Sequence, residues 1–146
     1  LDELDETMFT SWSIGQMMAA TREIEDRAFR VGRGSLHAGF QTVSTLAGEL
    51  DRYEQLGDGA VDVHAYAAPD EEPPETDNFT LHIERATEIE ESWFVVFDGG
   101  GDDGQKCALL AEERGPREFY GFWTYDADTV DWILEHLRST YGYVEQ

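Results

Sequence analysis

The chain has 146 residues, 40% of them hydrophobic and 12% aromatic, which excludes a disordered tail and suits one domain built on one core. Thirty-two Asp and Glu against ten Lys and Arg leave a formal net charge of −22. Such a molecule repels a phosphate backbone or an anionic membrane surface, so direct nucleic-acid binding is not expected.

Lys106 is the only lysine, the other basic residues being arginine. A surface of hydrated carboxylates with almost no alkyl-ammonium groups would repel itself in dilute buffer. In molar salt the Debye length falls to ~3 Å and the repulsion is screened. The composition therefore predicts a salt-adapted protein of a halophile. Cys107, the sole cysteine, allows no internal disulfide. The longest strongly apolar run, Phe94 to Phe97, is far short of the ~20 residues of a membrane span. The acidic start lacks the basic segment of a signal peptide. A cytoplasmic location without a membrane span is expected.

Residues 1–11 read as an acidic lead-in and residues 12–146 as a single domain. Ser13 and Gln16 have capping-box spacing, and Ile14, Met17, Met18, Ile24 and Ala28 continue a helix that Gly32 should stop. A short strand follows over residues 33–41, with Leu36 and Phe40 turned inward. Val43, Leu46, Leu50, Tyr53 and Leu56 predict a second amphipathic helix, ended by Gly57-Asp58-Gly59. Strands are predicted at Val61–Tyr66, Phe79–Ile83, Trp93–Phe97, Lys106–Glu112 and Glu118–Tyr125. The first two of these flank an exposed loop, 69–77, rich in proline and acid. Asp98 to Gly104 reads as a tight turn, and Arg114-Gly115-Pro116 as a hairpin connection. Asp126 caps a last helix carrying Val130, Ile133, Leu134, Leu137 and Tyr141, which Gly142 ends. The fold class is α+β: a central mixed or antiparallel sheet of about four to six strands with three amphipathic helices packed on it.

Enzymatic signatures are mostly missing. No glycine-rich loop precedes Lys106 in the way phosphate binding requires. The acidic, glycine-rich run 98–104 lacks the ligand period and closing glutamate of a calcium loop. His37, His64 and His82 lie on three predicted strands and would converge only if those strands were neighbours. Alternation turns His64 and His82 away from Val63 and Leu81, which reads as half-exposed sheet positions rather than a metal site. Ser35 and His37 share a strand face without a third partner. Cys107 alternates with Leu109 and Ala111 and reads as a small core residue, with a redox-sensing thiol as the competing idea. No catalytic residue, metal ligand or cofactor is assigned.

The aromatic density is the most informative local feature. Phe119, Tyr120, Phe122, Trp123 and Tyr125 crowd one strand, Trp93, Phe94 and Phe97 another, and Trp132 lies on the last helix. These rings either fill the two faces of a sheet or line a pocket for a small apolar ligand. Phe40, Trp93, Trp123 and Trp132 are the pocket candidates. Gly121 leaves room for a helix or a ligand to approach the sheet.

Together, Ser13-Ile14-Gly15-Gln16-Met17, Gly39-Phe40-Gln41, Tyr66-Ala67-Ala68, Trp93 to Asp98, Lys106 to Ala111 and Phe119 to Asp126 resemble the DICT sensory domain. The likeness runs from about Trp12 to Tyr141. It implies an α+β sensor with a sheet of about four strands, found with diguanylate cyclases and two-component systems and in stand-alone haloarchaeal proteins. It further implies a link to light responses, including bacterio-opsin regulation, and brings no catalytic or ligand residue with it.

The expected function is thus a non-enzymatic sensory or regulatory module. Its expected partners are a protein of a signalling or transcription-regulatory pathway, a small apolar ligand, and a second copy in a homo-oligomer. A structural adaptor, or an enzyme of unrecognised class, is the alternative. The moving parts would be the first helix, with its stripe Met8, Phe9, Met17 and Met18, and the loop 69–77. A retinal-type Schiff base would require Lys106.

Overall fold

The computed structural model describes residues 10–142, so Met8 and Phe9 lie outside the described residues. The strands are β1 (Thr10–Ser13), β2 (Gly34–Thr42), β3 (Val61–Ala68), β4 (Thr80–Ile83), β5 (Ser92–Phe97), β6 (Cys107–Gly115) and β7 (Glu118–Thr124). They form one seven-stranded sheet in the order β1-β7-β6-β5-β2-β3-β4. β2, β3 and β4 run parallel, and every other neighbour pair is antiparallel. The helices are α1 (Ile14–Val31), α2 (Val43–Ala47), α3 (Leu50–Gly57), α4 (Thr87–Glu91) and α5 (Ala127–Tyr141).

The expectation of four to six strands and three helices is corrected to seven and five. The six strands read from the sequence are all present. The seventh, β1, is a Thr-Ser-Trp-Ser edge piece with no apolar alternation, held by pairing with β7 and by the Trp12 indole donating to the Gly121 carbonyl at 3.3 Å. It takes in Thr10 and Ser11 of the expected lead-in. The helix read over Val43–Leu56 breaks in two around Gly48, where a turn lets both halves lay their apolar sides on the sheet. α4 buries only Ile89, too little to give a period.

Local chemistry sets the main boundaries. Ser13 Oγ accepts from the Gln16 amide at 3.2 Å while Gln16 Oε1 accepts from the Ser13 amide at 2.7 Å, a complete capping box. Gly32 closes α1 with φ 72°, the left-handed stop that costs glycine little. Asp126 accepts from the Thr129 amide at 3.0 Å to open α5.

α1, α2 and α3 cover one face of the sheet, and α4 and α5 the other. The first face is ring-packed. Phe40 meets Tyr53 and Trp93 edge-on at 5.3 and 5.7 Å, and Trp93 meets Phe119 at 5.6 Å. Several of its buried polar groups are paired: the Trp93 indole donates to Thr21 Oγ1 at 3.1 Å, and Tyr53 donates to the fully buried Glu25 at 2.5 Å. Glu25 also pairs with Arg22 and Arg52, which ties α1 to α3.

The loop 69–77 carries the β3–β4 crossover and is anchored at both ends. Asp70 accepts from the Ser44 amide at 2.9 Å, and Glu54 accepts from the amides of Asp77 and Asn78.

Candidate functional site

Register decides what the sheet presents to α5. Phe94 lies opposite Leu110, and Leu110 opposite Phe122, so three apolar side chains make one row across β5, β6 and β7. Ile133 and Leu137 of α5 and Ile89 of α4 face that row. Between them lies a cavity of about 340 Å³. Trp132 and Tyr120, 41% and 36% exposed, stand at its mouth. The Trp132 ring stacks on His136 at 6.0 Å. An apolar floor with a few polar groups at its rim suits a small hydrophobic guest.

Of the four sequence candidates only Trp132 lines this cavity. Phe40 and Trp93 are buried on the α1 face, and Trp123 is half-buried there beside Tyr125. Period two sends Trp93 and Phe94 to opposite faces, so the signal for the floor residues was present once the strands were placed in register. Gly121 lines the cavity, and a Cβ there would strike the Leu110 carbonyl and Ala111 of the neighbouring strand β6.

A second feature adjoins the first. β2, β3 and β4 are neighbours, and on the α5 face they bring His37, His64 and His82 into one row. His37 and His64 stack at 4.7 Å with planes 8° apart, and His64 and His82 at 5.2 Å. Tyr66 stacks on His82 at 4.5 Å, and its hydroxyl meets His37 Nδ1 at 2.9 Å. His64 Nε2 lies 3.0 Å from Asp62 Oδ2, and its Nδ1 lies 2.9 Å from His82 Nε2. The half-exposed expectation is corrected for His64, which is buried; His82 is half-buried as read, and His37 is wholly buried. The neighbouring parallel strands and the side chains above them cover what alternation alone leaves open. Burial, with help from the adjoining imidazoles, pushes His37 down to about 3 and His82 down to about 4. Both are neutral near pH 7. Among the described residues, no group of three or more His, Cys, Asp or Glu is placed to hold a metal ion.

Glu88 joins the row to the cavity. Its carboxylate accepts from His136 Nε2 at 2.9 Å and from the Tyr141 hydroxyl. Tyr141 in turn packs on Tyr66 at 5.9 Å. Burial opposes ionisation of Glu88, but these two donors hold its carboxyl below the usual range. Burial and the same bond raise the Tyr141 phenol. Glu88 lay outside every sequence motif, since an acidic residue on a five-residue helix gives no signal in so acidic a chain.

The remaining candidates fall elsewhere. Asp98 accepts from the amides of Ser35 and Gly100, each at 3.0 Å, and Asp102 accepts from Gly104, so carboxylates of the 98–104 turn serve its own fold. Lys106 pairs with Asp131 at 2.7 Å and Asp103 at 2.9 Å, and these bonds raise its pKa, which opposes Schiff-base chemistry. Cys107 is buried among Leu109 and Ala111 in the α1-face core, and burial pushes its thiol up to about 11. No helix among the described residues is long and apolar enough to cross a membrane.

The chain is similar in structure to polyphosphate kinase from Porphyromonas gingivalis, with a TM-score of 0.57 and 13% identity over 89% of this chain. It spans 22% of that kinase's length, and likeness at this identity concerns the fold alone. No curated protein matches the sequence. Residues 1–114 match the family model described as the sensory domain in diguanylate cyclases and two-component systems, a stretch that includes β1 to β5, all but the last residue of β6, and the histidine row. By that match the chain belongs to the DICT family of sensory domains.

Proposed function

We propose that the chain is a non-enzymatic, cytoplasmic sensory module that reports occupancy of the cavity beneath α5 to a protein partner. One observation carries the reading: an apolar cavity of about 340 Å³ opens where α5 is tied to α4 through a single carboxylate, Glu88. A guest inserted there presses on α5 and on the Glu88 contacts together. A signal shifts a two-state balance only when it binds the states unequally, and a cavity whose wall is also its clasp supplies that difference. The family's sensory character supports the reading.

Titration with naphthalene tests it, followed through the Trp132 indole N–H resonance. The expected result is a saturable shift that Leu110→Phe removes by filling the floor. No saturation up to the solubility limit overturns the ligand reading.

The net charge of −22 supports a halophilic setting. Unfolding on removal of KCl is the expected behaviour, and full stability in dilute buffer would refute it. A role in light responses or bacterio-opsin regulation rests on the family resemblance, and a colourless protein purified from its own cells would count against a chromophore.

A further inference from the structure

The cavity wall is charged, and its charges are unequally committed. Glu88, Glu112 and Arg114 all line it. Arg114 Nε lies 3.5 Å from Glu112, and the guanidinium sits over the Tyr120 ring at 4.6 Å from its centroid. Both side chains are more than half exposed, at 62% and 53%, so the two charges offset each other only in part. Glu88 has no Lys or Arg within salt-bridge distance among the described residues; its partners are His136 and Tyr141. A guest carboxylate would therefore enter beside a carboxylate, with the one arginine already engaged, in a molecule of net charge −22. A guest ammonium would find an anionic acceptor, Glu88, in the wall.

We infer that the cavity takes amphiphilic monocations: a flat apolar body bearing one primary ammonium, the ammonium on Glu88 and the body against Phe94, Leu110 and Phe122. This rests on the ligand-binding reading above and adds the class of guest. It also gives the guest a direct hold on the clasp. A carboxylate oxygen that accepts from the ammonium is shared with, or taken from, Tyr141 and His136, so occupancy loosens the end of α5.

Three probes of nearly one shape test the class: 2-(2-naphthyl)ethylamine, 2-(2-naphthyl)ethanol and 2-naphthylacetate. Each is titrated into the full chain in molar KCl, with the Trp132 indole resonance as readout. Glu88 is about half exposed, so at that salt only direct contact between the guest ammonium and the carboxylate adds to the preference. The amine should bind about three- to fivefold tighter than the alcohol, and the acetate weakest. Glu88→Gln, which still accepts from His136 and Tyr141 but carries no charge, should bring amine and alcohol to within about twofold, with only a small fall in the unfolding midpoint because Glu88 is about half exposed. Equal binding of all three, or tightest binding of the acetate, overturns the cation class and leaves the cavity reading standing. An amine preference that survives Glu88→Gln overturns Glu88 as its seat. If none of the three saturates, the ligand reading itself falls and this inference with it.

Discussion

The two faces of the sheet are built from the same strands, yet they are finished differently. On the α1 face, odd-numbered β5 residues Trp93, Val95 and Phe97 meet a long helix with a full apolar stripe, and rings interlock edge to face. On the α5 face, Phe94 and Val96 meet a helix that leaves a cavity beside them, and β2 to β4 carry imidazoles where the other face carries Leu36, Ala38 and Val63. Packing density holds the first face together. The second spends burial on polar rings and open space.

Breaking the supporting face should have the largest effect. Trp93→Ala removes a fully buried ring and the Thr21 contact, and should cost about 4 kcal/mol in denaturant unfolding. A loss below about 1 kcal/mol would mean that this face is not the principal core. Next is Glu25→Ala, which strands Arg22, Arg52 and the Tyr53 hydroxyl. Removing one member of a wholly buried ion pair costs about 3–5 kcal/mol; both arginines are about a third exposed and can turn to water, so about 2–3 kcal/mol is expected.

Acid sharpens the contrast from the other side. His37 at about 3 and His82 at about 4 are neutral in the fold, whereas unfolded histidine titrates near 6.5. The unfolded chain therefore binds more protons below pH 6.5, and stability present above that value is lost as pH falls toward 4. Each histidine contributes about 2 kcal/mol of the loss by pH 5. His37→Phe should roughly halve the fall of the urea midpoint between pH 7 and 5, the remainder coming from His82, and an unchanged slope would refute a neutral, buried His37. Smallest is Trp132→Ala. Its ring is 41% exposed, so less than about 0.5 kcal/mol of stability should go, while naphthalene binding weakens severalfold. Loss of stability matching that of Trp93→Ala would erase the distinction between the faces.

How far these faces could be read in advance depended on what each feature obeys. The Ser13–Gln16 box, the Asp126 cap and the stops at Gly32 and Gly142 are local chemistry, and all four stand where the residues indicated. β1 depends on a partner strand more than a hundred residues away, and α4 on a single buried isoleucine, so neither leaves a local trace. The site depended on register. Alternation placed His64 and His82 on the face away from Val63 and Leu81, but their burial follows from β2, β3 and β4 lying side by side. Choosing rings by size favoured Trp93 and Phe40, which the fold uses for support. The floor is made by Phe94, Leu110 and Phe122, which are ordinary until the strands are aligned.

The ends of the sheet carry a last consequence. Among the described residues, β1 and β4 are four residues each, whereas β2 and β6 run to nine. At β4 the exposed rim is thus offered only as a short piece, bearing a histidine. A stray strand from another molecule would find too few consecutive backbone groups to zip against. In concentrated brine, where charge no longer keeps molecules apart, brevity at the rim becomes the remaining guard against fibre-like stacking.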